Sequence, residues 1–145
     1  MIVKVCGMRE AENIRQVEQT GADWMGFIDY EGSPRYVADV PEYLPETVQK
    51  VGVFVNASLP RIRERRTAWQ LNFVQLLSAP LQVVQHILHG VPVLLFQPVD
   101  HIQTTLQLVQ LTTRVTGPVR VLSSYSAMVS PSKTTEAVKK LLSSG

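Results

Sequence analysis

Ile2-Val3-Lys4-Val5-Cys6-Gly7-Met8-Arg9 is the stretch on which the fold turns. Its β-branched residues at 2, 3 and 5 favour a pleated strand, and Gly7 ends the run. Glu10 to Thr20 then changes period. Ile14 and Val17 fall on one helical face, with Ala22 also directed to the core, while Glu10, Glu12, Arg15 and Gln16 face outward. Gly21 stands where a helix C-cap is expected. Asp23 to Asp29 reads as a second strand. Strand, helix and strand in this order make a βα unit, and its repetition decides the fold class.

Working outward, a Gly-, Ser- and Pro-containing loop runs from Tyr30 to Arg35, and Pro41 opens a short helix to Lys50. Val51 to Val55 is a third strand. Asn56 and Ser58 can cap a helix entered at Pro60, which carries Arg61, Arg63, Arg65, Arg66 and then Trp69. Asn72 to Leu77 is the fourth strand; Ser78 and Pro80 start a helix that ends at His89-Gly90. Val91 to Phe96 is the fifth strand, and Asp100 caps a helix to about Val115. After Gly117-Pro118 comes a sixth strand, Val119 to Leu122. Ser132 or Thr134 starts a last helix through Leu142. Six strand–helix units of about 24 residues each predict one α/β domain over residues 1–145, with a parallel sheet covered by helices.

Composition agrees. The 145 residues are 45% hydrophobic and 18% charged, enough to bury a core. A net charge of +2 points to neither nucleic acid nor an acidic membrane surface. The longest apolar runs, such as Val91 to Phe96, fall far short of the roughly 20 residues of a membrane span. The single cysteine, Cys6, excludes an internal disulfide and suits a reducing compartment, so a cytoplasmic location is expected. The start of the chain runs into a strand pattern, and no signal peptide is expected there. His86 and His89 lie i, i+3 on one helix without a third ligand, so they and His101 read as surface residues rather than a metal site. The arginines at 61–66, interrupted by Ile62 and Glu64, read as a solvated outer helix face.

Several blocks carry a resemblance: Val3-Lys4-Val5-Cys6-Gly7-Met8-Arg9, Gly21-Ala22-Asp23-Trp24-Met25-Gly26-Phe27-Ile28, Ser33-Pro34-Arg35-Tyr36-Val37, Val51-Gly52-Val53-Phe54-Val55-Asn56 and Phe73-Val74-Gln75-Leu76. In this order and spacing they resemble phosphoribosylanthranilate isomerase of tryptophan biosynthesis. The likeness is strongest from about residue 2 to 77 and returns faintly at Ser123-Ser124 and Ser130-Pro131-Ser132-Lys133. It implies a TIM-barrel-like parallel βα repeat and cofactor-independent conversion of a phosphorylated aminoaldose to an aminoketose. It also implies Cys6 as the base for the C2 proton, Arg35 as the partner of the anthranilate carboxylate, and Ser123 and Ser124 beside the phosphate. A thiol at the carboxyl end of a barrel strand stands where βα loops build active sites.

The pattern also departs from the family. No Leu-Leu-Asp-Thr segment, which carries the family's catalytic acid, occurs in the chain, nor does its Leu-Ser-Gly-Gly phosphate strand. Tyr125 stands where glycine follows the paired serines. Six units are about two short of a complete eight-stranded barrel. Asp29, at the end of the second strand, is a conceivable replacement acid or else a solvated strand-end carboxylate. Three readings follow: an isomerase of this type, a shortened non-catalytic relative with at most weak phosphate-ester binding, or an open α/β module whose uncovered sheet edges favour a homo-dimer.

Overall fold

The computed structural model describes residues 2–77 throughout, strand backbone at 93–96, 108–110 and 119–123, and positions 139 and 143. Its strands are β1 (Ile2–Cys6), β2 (Trp24–Asp29), β3 (Gln49–Val55), β4 (Phe73–Leu77), β5 (Val93–Phe96), β6 (Leu108–Gln110) and β7 (Val119–Ser123), with helices α1 (Ala11–Glu18) and α2 (Leu59–Ala68). They form one sheet in the order β6-β5-β4-β3-β2-β1-β7. Every pairing is parallel except β5 with β6. The parallel α/β expectation holds, and β7 lies beside β1 as the last strand of a closing barrel does.

Three expectations need correction. Leu108–Gln110, expected inside a helix, is a strand antiparallel to β5. Its Leu-Val-Gln-Leu run can serve either period, and pairing with the open side of β5 overrides weak helical propensity. Among the described residues there are therefore seven strands rather than the six expected, and β2 passes to β3 without a helix, so alternation is not strict. The helix expected from Pro41 to Lys50 is absent: 41–48 is irregular and β3 already begins at Gln49. The helix expected from Ser78 to His89 lies outside the described residues. Of the last helix only Lys139 is described within its predicted bounds, and it is helical.

Both faces of β1–β4 are largely buried, which explains the near-continuous apolar runs of these strands. The outer face packs Val5, Met25, Phe27, Phe54, Val74 and Leu76 against Ile14 and Val17 of α1, Ile62 of α2, and Trp69. On the other face lie Trp24, Val51 and Phe73, then Cys6, Ile28, Val53 and Leu77. Trp24 and Phe73 stack across this face with ring centroids 4.6 Å apart. One polar bond shows how far the sheet curls. Lys4 Nζ of β1 donates to Gln75 Oε1 of β4, although three strand spacings separate them, about 14 Å in a flat sheet. Only a concave sheet lets the two side chains meet, so β1–β4 form a half-barrel.

The two well-described βαβ units close in the same way. Asp23 N–H donates to Val3 O at 3.0 Å, while Val3 N–H donates to Asp23 Oδ2 at 2.7 Å. Asn72 repeats this with Lys50: its N–H donates to Lys50 O at 2.9 Å, and Lys50 N–H donates to Asn72 Oδ1 at 2.8 Å. Each helix ends in a left-handed residue nearby, Gly21 with φ 83° and Gln70 with φ 50°. Ser58 caps α2 by accepting from Arg61 N–H, as the sequence predicts.

The segment 41–48 is held by Glu18 instead of by helical bonds. The Glu18 carboxylate accepts from Tyr43 Oη at 2.5 Å and from the N–H groups of Glu46 and Thr47 at 2.7 Å each. Pro41 and Pro45 remove backbone donors that a helix here would use. Burial disfavours the Glu18 charge, but these hydrogen bonds outweigh it together and hold the carboxyl below its ordinary value.

Candidate functional site

Cys6 ends β1, in register between Gly26 of β2 and Ser123 of β7. It is 8% exposed. Gly26 makes the space for its sulfur. A Cβ at Gly26 would lie 2.7 Å from Cys6 Sγ and 3.1 Å from Lys4 Cε, too close for either. Lys4, two residues earlier on the same face, is itself buried, with Nζ 3.7 Å from Sγ. Burial above all pulls the Lys4 amine below its ordinary value, and the nearby Arg35 charge adds to this; Cys6 works in the opposite direction.

Arg35 reaches the same strand end. Ser33 N–H donates to Tyr30 O at 2.9 Å and Tyr36 N–H to Ser33 O at 3.0 Å, while Ser33 Oγ accepts from Arg35 N–H at 3.2 Å. Val37 N–H then joins Ile28 O at 2.9 Å, fastening the loop to the end of β2. The Arg35 guanidinium lies over Gly7, and its Nη1 donates to Cys6 O at 3.1 Å. Gly7 has φ 89°, and a Cβ there would fall 2.5 Å from Arg35 Nη1. Glycine is thus required twice, for the backbone conformation and for the arginine. Arg35 and the Cys6 carbonyl, 29 residues apart in sequence, meet at this strand end.

Ser123 ends β7 with its backbone in register with Cys6. Ser124 lies outside the described residues.

Asp29 is neither of the two things the sequence suggested. It is 7% exposed rather than solvated. Its Oδ2 accepts from Arg61 Nε at 2.9 Å and its Oδ1 from Arg61 Nη2 at 3.0 Å and Arg65 Nε at 3.2 Å. With both oxygens engaged by guanidinium groups, it is arranged as a charge partner and not as a proton donor. The arginines are corrected with it. Arg65 is buried, 6% exposed, and its guanidinium lies 4.7 Å from the Trp69 ring centre, so α2 does not present a fully solvated basic face.

The family model for N-(5'-phosphoribosyl)anthranilate isomerase matches residues 3–119. The chain belongs to that family. The isomerase of Phocaeicola vulgatus is 57% identical over 76 residues, 52% of this chain and 37% of the relative. That of Parabacteroides distasonis is 44% identical over 82 residues, again 52% of this chain and 37% of the relative. The chain therefore spans less than half the length of these curated relatives. Among solved structures, the isomerase of Thermus thermophilus aligns with TM-score 0.63 and 27% identity, over 69% of this chain and 53% of that one. A phosphoribosyl anthranilate isomerase in complex with reduced 1-(o-carboxyphenylamino)-1-deoxyribulose 5-phosphate aligns with TM-score 0.59 and 35% identity, over 66% and 53%. Monomers generated from the dimeric Thermotoga maritima isomerase align with TM-score 0.57 and 34% identity, over 64% and 50%.

Membership of the isomerase family accounts for the α/β half-barrel and for the concave face with Cys6 at its rim. Sequence reasoning noticed Lys4 as a lysine inside a strand but assigned it no contact. Its partner Gln75 was missed, and so was the Asp29–Arg61–Arg65 cluster. The alternation of β1 carried the one usable signal, because it puts Lys4 and Cys6 on one face. Among the described residues no group of three or more His, Cys, Asp or Glu side chains could hold a metal ion. Among the same residues no helix is long and apolar enough to cross a membrane.

Proposed function

We propose that the carboxyl-terminal rim of this half-barrel binds an N-phosphoribosylated anthranilate and carries the proton-abstraction half of its aminoaldose-to-aminoketose isomerisation. One observation carries the reading: Arg35 Nη1 lies 3.1 Å from the carbonyl of Cys6, which sets a carboxylate-binding fork beside a thiol at a barrel rim. Arg35 engages the anthranilate carboxylate, Cys6 Sγ takes the C2 proton, and Ser123 and Ser124 bind the phosphate. No cofactor enters this chemistry. The relatives' names and the neighbour with a bound carboxyphenylamino-deoxyribulose phosphate support it. A dimeric neighbour supports a homo-dimer for this chain, and the lone thiol suits the cytoplasm.

A second reading, a relative that binds without turning over, has its own observation. The chain contains no Leu-Leu-Asp-Thr segment, and Asp29 is committed to Arg61 and Arg65. Turnover of phosphoribosylanthranilate by wild type, Cys6→Ala and Arg35→Ala decides between them. Isomerisation that disappears in Cys6→Ala establishes the first. Arg35-dependent binding of the reduced deoxyribulose phosphate without turnover establishes the second. Neither turnover nor binding refutes both. Sedimentation velocity tests the dimer.

A further inference from the structure

The buried lysine of β1 has no part in the chemistry above. Lys4 is 1% exposed, yet lysines in strands ordinarily extend the ammonium to water or meet a carboxylate. Among the described residues no carboxylate pairs with Nζ. Its partners are instead Gln75 Oε1, which accepts from it, and Cys6 Sγ at 3.7 Å. The side chain lies across β2 only because Gly26 has no Cβ; one there would stand 3.1 Å from Lys4 Cε. Three separate strands thus contribute to placing one amine against one sulfur.

We propose that Lys4 is the positioning residue for Cys6: its Nζ, held by Gln75, takes the thiol proton and leaves Sγ as the thiolate that abstracts a proton from substrate. This rests on the reading of Cys6 as the base. In the step, the Sγ–H bond breaks and an Nζ–H bond forms, so thiol and amine become thiolate and ammonium. No electrons change hands, and the pair has zero net charge before and after. A buried site penalises a lone ion far more than such a couple. Burial disfavours a lone ammonium at Lys4, and it is the sulfur 3.7 Å away, once it carries the negative charge, that favours it, so the proton moves only to form the couple. Gln75 cannot take the proton itself, but its carbonyl oxygen directs Nζ.

The test needs no substrate, so it stands apart from the isomerase reading. The rate of Cys6 alkylation by iodoacetamide is followed by mass spectrometry on the full chain, from pH 6 to the high-pH plateau. The plateau rate normalises for access to the buried sulfur. An unassisted thiol, with a pKa of about 8.5, is about 3% thiolate at pH 7 and reacts about 30-fold below its plateau. Wild type is expected within about 3-fold of plateau at pH 7, and Lys4→Met about 30-fold below. Lys4→Met nearly conserves volume and removes a buried charge, so it should fold. If it does not, Gln75→Leu carries the test, with an expected loss of about 10-fold at pH 7 relative to plateau. A pH 7-to-plateau ratio that is the same in wild type and in the folded variants overturns the proposal. Loss of turnover in Lys4→Met with an unchanged ratio also overturns it, and leaves Cys6 as base untouched.

Discussion

Replacing Asp29, the buried carboxylate at the end of β2, with alanine should be among the most damaging single changes where α2 packs on the sheet. Asp29 has a side chain 4% exposed and bridges two arginines of very different burial, Arg61 at 34% and Arg65 at 7%. Without the carboxylate, Arg61 can turn its guanidinium to water. Its share of the loss is that of a surface pair, about 0.2–1 kcal/mol. Arg65 cannot do this. Among the described residues it would keep the Ala38 carbonyl and the face of Trp69, 4.7 Å from its guanidinium carbon. Stranding one partner of a buried pair costs about 3–5 kcal/mol. With an unfolding entropy of about 2.1 cal/mol/K per residue, 145 residues give about 0.3 kcal/mol/K, so the two shares together should lower Tm by roughly 11–20 °C. Urea unfolding of wild type, Asp29→Ala, Arg61→Ala and Arg65→Ala measures this, with unchanged m values as the control. Removing both partners, in Asp29→Leu with Arg65→Leu, should recover most of the loss because no charge is left buried. A cost below about 1 kcal/mol for Asp29→Ala, or an equal cost for Arg61→Ala and Arg65→Ala, would refute the reasoning.

Gly26→Ala places a Cβ 2.7 Å from Cys6 Sγ; overpacking of about 1–3 kcal/mol is expected, with Cys6 alkylation slowed at every pH, measured by unfolding and by mass spectrometry. Glu18 has a depressed folded-state pKa, so its stabilisation is complete above the ordinary value of 4.5 and is lost as pH falls through the lower folded value. The stability gap between wild type and Glu18→Gln should therefore shrink between about pH 5 and pH 3 in thermal scans; a constant gap would remove the ionised carboxylate from the account. Ser58→Ala deletes the acceptor for Arg61 N–H and should cost about 1 kcal/mol in urea unfolding, against a few tenths for Ser58→Gly.

The parts of the fold legible in the sequence are those coded over a few residues. Ile14 and Val17 at helical spacing predict α1, and both are fully buried there. Ser58 caps α2 as its chemistry suggests, whereas the C-cap of α1 is Gln19 and Gly21 takes the left-handed conformation two residues beyond it. The alternation of β1 puts Lys4 and Cys6 on one face, while the contact of Arg35 with the Cys6 carbonyl emerges only in the fold. Short periodic runs without a distinctive partner misled. Leu108–Gln110 suits helix or strand and took the one that pairs with β5. Pro41 signals a helix start, but Glu18, more than twenty residues earlier, supplies the hydrogen bonds that hold the segment irregular.

Local pattern by itself thus determined the βα repeat, the parallel sheet and the placing of one thiol at a strand end. Tertiary structure alone decided what surrounds that thiol. Lys4 meets Gln75 across 71 residues, and Asp29 meets Arg65 across 36, because the sheet curls and α2 folds back over the loop after β2. A charge's solvation and its partner are properties of the closed space around it, and no local periodicity encodes that space. The same lysine on a flat sheet would reach water; on this concave one it reaches sulfur.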